Sequence, residues 1–108
     1  MKEKSLLIQL VGEMPLFKIV DLLIDNKGMD YTKSDIAKGA EISKASLFNY
    51  WKELEKQEIV KVTRKFGKTR LYTLNTESVI TKKILDLEKA LISKALVDAS
   101  KKEILISA

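Results

Sequence analysis

The sequence of 108 residues contains no cysteine and no histidine, and each absence removes a class of function. Without cysteine the chain can form neither disulfides nor thiolate metal sites. Without histidine it lacks the commonest general base and the commonest transition-metal ligand. A Gly-rich phosphate-binding loop and a clustered carboxylate motif are also missing. We therefore expect no enzymatic activity, no catalytic residue, no metal site and no bound cofactor.

Long apolar segments are scarce as well. No stretch is long enough to span a bilayer, and the apolar run at residues 5–11 is too short for a secretory signal and is not followed by a small-residue cleavage site. These features predict a cytoplasmic protein with no membrane partner. The length and the 45% hydrophobic content predict one domain with a small core, which burial against a second copy would help to stabilise.

The net charge of +5 is concentrated in one part of the chain. Residues 43–75 hold eight Lys or Arg against three Glu, whereas residues 1–42 hold six basic against seven acidic and residues 76–108 six against five. A cationic surplus confined to one region is typical of a protein that binds a phosphate backbone. The charge distribution therefore predicts a nucleic-acid partner.

Two short helices separated by a sharp turn are predicted in the centre of the chain. Thr32 precedes Asp35 by three residues, which is the spacing of an N-terminal capping box. Gly39 then interrupts the helical pattern, and Ser43 is the predicted N-cap of a second helix over residues 44–56. Two capped helices this close together are typical of a helix-turn-helix, whose second helix enters the major groove of DNA.

The second of these helices is predicted to have one apolar and one polar side. Leu47, Trp51 and Leu54 recur at spacings of four and three and form an apolar stripe. Phe48 is expected to pack in the core, with stacking on bases as the alternative. Small and polar residues on the outward side can approach base edges and phosphates. The residues predicted to bind DNA are Ser43, Lys44, Ala45, Ser46 and Asn49 in the major groove, and Tyr50, Lys52 and Lys56 on the backbone, although Tyr50 suits core packing equally well.

A basic β-hairpin is predicted after the second helix. Residues 58–65 form the first predicted strand, in which residues 60–65 alternate with a period of two, Gly67 supplies a turn, and residues 70–74 form the second strand. Cations near the tip are expected to grip phosphates or the neighbouring minor groove, although charged tips also keep edge strands soluble. These cations are Arg64, Lys65, Lys68 and Arg70.

The order of two helices followed by a basic hairpin resembles a winged helix-turn-helix. The string over residues 18–75 is similar to small archaeal and bacterial transcription regulators, close to the arsenical-repressor-like and multiple-antibiotic-resistance-like groups. The resemblance is carried by Ile-Ala-Lys-Gly-Ala-Glu-Ile-Ser at 36–43, followed by Leu47, Leu54 and the pair at 59–60. It implies a mainly α fold with a small β-hairpin, sequence-specific binding to double-stranded DNA, and transcriptional repression as the commonest role.

Apolar segments flank this region and divide the chain into three parts. Residues 1–14 contain the first apolar segment, which forms either a strand or one or two turns of helix. Residues 15–75 form the predicted winged helix-turn-helix domain, which Pro15 opens as the first residue of a helix. Residues 76–108 are predicted to form a long helix, from 77 to about 100, and a short apolar tail.

The long C-terminal helix is the predicted homodimer element. Its apolar residues recur at near-heptad spacing, which favours a seam between two copies. Folding back onto its own domain is the alternative, but a helix of twenty residues spans about 30 Å and would overhang a small domain. The predicted interface residues are Ile80, Ile84, Leu87, Leu91 and Ala95.

Three other functions stay open. A winged helix that binds proteins rather than DNA is supported by the acidic Glu53, Glu55 and Glu58. Partition of plasmid or viral DNA and architectural DNA binding would use the same surface chemistry as the regulator. The sequence identifies no small-molecule effector, and metal sensing of the arsenical-repressor kind is not carried over because the Cys and His ligands are missing.

Overall fold

The computed structural model describes residues 3–107, with side chains described for residues 3–102. This part of the chain is mainly helical with one small antiparallel hairpin, so the predicted fold class is confirmed. The elements, in chain order, are α1 (Leu6–Val11), α2 (Pro15–Asp25), α3 (Lys33–Gly39), α4 (Lys44–Lys56), β1 (Val60–Phe66), β2 (Thr69–Leu74) and α5 (Val79–Ser107). Among the described residues, no helix is both long and apolar enough to cross a membrane.

Side-chain caps begin α1, α3 and α4. Thr32 Oγ1 accepts a hydrogen bond from the Asp35 backbone N–H at 3.1 Å, and the Asp35 carboxylate accepts one from the Thr32 N–H at 3.2 Å. The predicted capping box is therefore confirmed. Ser43 Oγ accepts from the Ser46 N–H at 3.1 Å and caps α4 as predicted. Ser5 caps α1 in the same way, which explains why residues 6–11 form a helix rather than a strand.

The turn between α3 and α4 differs from the prediction at Gly39. The helix α3 runs through Gly39, and the left-handed backbone conformation falls two residues later, at Glu41 with φ 58°. Gly39 instead allows α2 to approach closely, because a Cβ at this position would lie 2.9 Å from Leu22 Cδ2. A side chain at this position would displace Leu22, whereas the turn itself does not require the glycine.

The core lies between α2, α3, α4 and the base of the hairpin. The predicted apolar stripe of α4 is confirmed, since Leu47, Trp51 and Leu54 are all buried. The indole of Trp51 packs edge-on against Tyr72 of β2, with ring centroids 4.8 Å apart. This contact fixes the hairpin against α4. The other large, fully buried apolar side chains are Leu7, Ile19, Val20, Leu23 and Ile36.

The hairpin is irregular, and a third segment pairs with it. The register shifts between Val62 and Arg64, so a bulge interrupts the simple alternation that the sequence predicted. Tyr31, in the loop before α3, exchanges backbone hydrogen bonds of 2.9 and 2.8 Å with Tyr72. The loop before α3, the strand β2 and the helix α4 are thus joined at one point.

The helix α5 contacts its own domain over only part of its length. The helix α1 packs against α5, and Ile84, Leu85 and Leu91 are half-buried against the core. All side chains from 92 to 102 are exposed. The predicted seam is therefore divided, because α1 and the core cover Ile84 and Leu91, whereas Ile80, Leu87 and Ala95 stay exposed. The helix continues through Ser107, so the prediction that it ends at about residue 100 and is followed by a separate tail is wrong. The side chains at 104–106 lie outside the described residues.

Candidate nucleic-acid interface

The outward side of α4 carries most of the residues that the sequence predicted to bind DNA. Ala45, Asn49, Lys52 and Lys56 recur at spacings of four, three and four, which places them on the side opposite the buried stripe. These four residues, three of them polar, form an exposed ridge that is called the polar ridge below, and Ser43 and Lys44 are exposed at its N-terminal end.

Two of the predicted DNA-binding residues are less accessible. Ser46 is half-buried, and Tyr50 is half-buried and packs against the core. Tyr50 lies next to the buried stripe, so its ring contributes to packing, which is the alternative that the sequence had left open.

Three of the four predicted hairpin cations lie together at the tip. Lys65 and Arg70 are directly opposite each other in the strand register, and Lys68 lies in the turn between them. All three are exposed, and no salt bridge joins them to an acidic residue in the part of the chain with described side chains. Like charges directly opposite each other destabilise a hairpin, so this arrangement gains stability when an anion binds.

Arg64, the fourth predicted cation, is occupied within the protein. Its Nε lies 2.9 Å from Asp30 Oδ2 and one of its terminal nitrogens lies 2.8 Å from Oδ1, so the pair is bidentate. The Thr63 hydroxyl donates to the same carboxylate. The Arg64 guanidinium and then the Thr63 hydroxyl lower the pKa of Asp30 from 3.8 to about 2. Arg64 therefore ties the bulge to the loop before α3 and is not grouped with the cations at the tip.

An open groove separates the hairpin tip from the start of α3. Lys33, the first residue of α3, lies opposite the three hairpin cations, and sequence reasoning missed it. Its ammonium lies 5.1 Å from the Trp51 ring centroid and 5.7 Å from those of Phe48 and Tyr72. These rings come from two other elements, so no local pattern in the chain indicates the contact. The groove is lined by Thr32, Lys33, Ser34, Lys65, Gly67, Lys68, Thr69, Arg70 and Tyr72.

The expectation that Phe48 packs in the core is wrong. Its side chain is 59% exposed. Phe48 follows Leu47 directly, and each helical residue advances by about 100°, so its side chain leaves the buried stripe and lies at the flank of the helix. There it contacts the ammonium of Lys33 at the edge of the groove.

Acidic side chains gather at a different place. Glu55, Glu58 and Glu77 line a shallow hollow at the base of the hairpin, away from its tip. Glu53 accepts a hydrogen bond of 2.8 Å from the side chain of Gln57. The structure therefore separates the acidic residues of this region from the cationic groove, which the sequence order alone did not reveal.

Solved structures resemble this chain, whereas no protein family model and no curated protein matches its sequence. The C30AH42A mutant of Lactococcus lactis ZitR in apo form is 21% identical with a TM-score of 0.60, and the match covers 93% of this chain and 81% of that one. The adhesin competence repressor AdcR from Streptococcus pyogenes is 21% identical with a TM-score of 0.55, covering 81% and 62%. The fold is a winged helix-turn-helix. Wild-type ZitR in complex with DNA is also similar, at 19% identity and a TM-score of 0.54, covering 90% and 68%.

These neighbours agree with one of the two groups that the sequence resembled. ZitR is a zinc-responsive member of the MarR family, the multiple-antibiotic-resistance-like group. The present winged helix has neither Cys nor His. Among its described residues, no three acidic groups are placed together to hold a metal ion. Its residues therefore do not fit a zinc site, and the similarity concerns the fold.

Proposed function

We propose that this protein is a homodimeric, sequence-specific double-stranded DNA-binding protein that regulates transcription, acting as a repressor. The observation that carries the proposal is the pair of opposed cations, Lys65 and Arg70, beside an exposed polar helix in the same fold as a solved protein–DNA complex. The cytoplasmic location expected from the sequence is compatible with this role.

The helix α4 is the proposed reader of the major groove. Ser43, Lys44, Ala45 and Asn49 are exposed toward its N-terminal half, with Ser46 beside them. Small side chains permit close approach to the bases, and an Asn amide can pair with adenine through two hydrogen bonds. Lys52 and Lys56 lie further along the same ridge, where they can contact phosphates.

The hairpin is the proposed backbone-binding wing. Lys65, Lys68 and Arg70 offer unpaired positive charge on one side of the groove, and Lys33 adds a fourth cation on the other. A phosphate backbone seated there would relieve the repulsion between the opposed cations. Arg64 acts differently in this proposal, because its bond to Asp30 fixes the position of the wing.

The helix α5 is the proposed dimer element. Its C-terminal half exposes Ile92, Leu96 and Val97, and its first half exposes Ile80 and Leu87. Burying each Leu or Ile between two copies contributes about 1.5–3 kcal/mol. The 29 residues of α5 span about 43 Å, which is comparable with the 34–36 Å between half-sites one turn of DNA apart.

Selection of bound fragments from genomic DNA, followed by binding titrations, tests the proposal. We expect enrichment of an inverted repeat whose half-sites lie about one helical turn, or a multiple of it, apart. Binding without any sequence preference would instead assign the protein to architectural DNA binding, and no binding at low salt would reject the DNA function. Partition of plasmid or viral DNA would give enrichment of sites on such elements alone.

The acidic hollow supports the second candidate function, a protein-interaction module. Glu55, Glu58 and Glu77 outnumber the single cation of the lining, Lys61, so this surface suits a basic partner better than DNA. The same selection decides between the two candidates, since a pure interaction module enriches no DNA.

A further inference from the structure

Phe48 is an apolar side chain on the part of α4 that would approach DNA. It is 59% exposed, and its neighbours one turn away on the same flank, Ala45 and Lys52, are exposed as well. Ala45 is small and leaves space beside the Phe48 ring, and the exposed Lys44 lies four residues before Phe48 on the same flank. The ring therefore adjoins the polar ridge instead of joining the core.

The environment of Phe48 restricts how its ring can be used. The ammonium of Lys33 lies over the ring, 5.7 Å from its centroid, and the same ammonium is held by the Trp51 and Tyr72 rings. Trp51 and Tyr72 are buried, so they anchor Lys33, and Lys33 in turn orients Phe48. Protein thus occupies one side of the ring, while the remaining surface is open to solvent.

We propose that Phe48 recognises the 5-methyl group of a thymine in the major groove. The inference depends on the proposed function, because it requires α4 to lie in that groove. Among the base edges displayed there, the thymine methyl is the apolar feature, and a phenylalanine side chain can contact it but cannot hydrogen-bond. Stacking on a base would require that base to leave the duplex, and the ammonium of Lys33 already covers part of the ring.

Replacement of thymine by deoxyuridine tests this proposal, because uracil lacks only the methyl group. The probe is the duplex most strongly enriched in the selection, with each thymine replaced singly. We expect one position in each half-site at which the exchange weakens binding by about fourfold, the equivalent of one buried methyl group. Phe48→Ala should bind the thymine and uracil duplexes equally, and Phe48→Leu should keep a reduced preference for thymine.

Phe66 provides a matched control. It is also an exposed aromatic residue, at 60%, and it also lies beside a cation, with Arg64 5.6 Å from its ring centroid. Because Phe66 is on the wing and the thymine methyl is displayed in the major groove, Phe66→Ala should keep the full sensitivity to uracil. Circular dichroism would verify that each variant is folded.

The outcomes separate this inference from the proposed function. If selection yields no preferred sequence, the proposed function itself is wrong, and the inference with it. A preferred sequence that tolerates uracil at every thymine would overturn the role of Phe48 alone. The role is equally refuted if Phe48→Ala retains the full uracil sensitivity, since another residue must then contact the methyl group.

Discussion

Two arginines of the wing offer a comparison in which the residue type is the same and the expected result differs. Arg70 is exposed at the hairpin tip, opposite Lys65 and without an acidic partner in the described part of the chain. Arg64 lies six residues earlier and is held in a bidentate pair by Asp30. We expect Arg70→Ala to remove a phosphate contact and Arg64→Ala to remove a positioning contact.

The salt dependence of binding distinguishes these two effects. Each phosphate contact contributes about 0.9 to the slope of log affinity against log salt, because binding releases counterions. Arg70→Ala should therefore lower the slope by about 0.9. Between 50 and 200 mM salt, its affinity should fall about 3.5-fold less than that of the wild type. The double variant Lys68→Ala, Arg70→Ala should lower the slope by about 1.8, which corresponds to roughly twelvefold over the same range.

Arg64→Ala should behave differently because its charge is already neutralised. We expect weaker binding by a similar factor at every salt concentration, since the wing loses its attachment to the loop before α3, and an unchanged slope. Filter binding or fluorescence anisotropy at five or more salt concentrations measures both quantities. If Arg64→Ala lowered the slope of log affinity against log salt as much as Arg70→Ala does, the two arginines would not differ in role and the reasoning would be refuted. An unchanged slope for Arg70→Ala would remove the wing from the phosphate backbone altogether.

Three further predictions concern recognition of the DNA sequence by Asn49, formation of the dimer by α5, and the ion pair between Asp30 and Arg64. Asn49→Ala should cost about 1–3 kcal/mol on the selected site but little on random duplex; equal losses in a gel-shift titration would assign Asn49 to phosphate. Leu87→Glu with Leu96→Glu should convert a dimer to a monomer in sedimentation, whereas Lys83→Glu on the exposed helix surface should not; a wild-type monomer at micromolar concentration would reject α5 as the dimer element. Asp30 has a lower pKa when folded, so its pair with Arg64 stabilises the protein fully above about pH 4 and less as the pH falls through about 2. The difference in Tm between the wild type and Asp30→Asn should therefore shrink on acidification through that window, and a constant difference would contradict the assignment.

The spacing of residues in the sequence was enough to predict those features that depend on residues close together in the chain. The capping box of Thr32 and Asp35, the cap at Ser43 and the stripe of Leu47, Trp51 and Leu54 were all predicted correctly. Each depends on residues three or four positions apart, and the order of these elements was enough to indicate the winged helix-turn-helix.

Contacts between distant segments could not be predicted in the same way. Asp30 and Arg64 are 34 positions apart, so nothing local indicated that this cation was occupied. The placement of Lys33 among three rings depends on the packing of α4 and β2. The seam on α5 was misjudged in part for the same reason: periodicity identifies an apolar side of a helix but not whether it meets its own domain or another copy.

In the proposed dimer, the exposed second half of α5 would couple the order of that helix to the association of two chains. From residue 92 to residue 102 its side chains are exposed, with a surface ion pair between Lys94 and Asp98, and a helical segment this short is marginal in water by itself. The conformational entropy of ordering it is offset only when another surface covers it. Helix formation there and dimerisation would then form a single equilibrium. The fraction of DNA sites bound at both half-sites would then rise more steeply with protein concentration than it would for a rigid dimer that exists before binding.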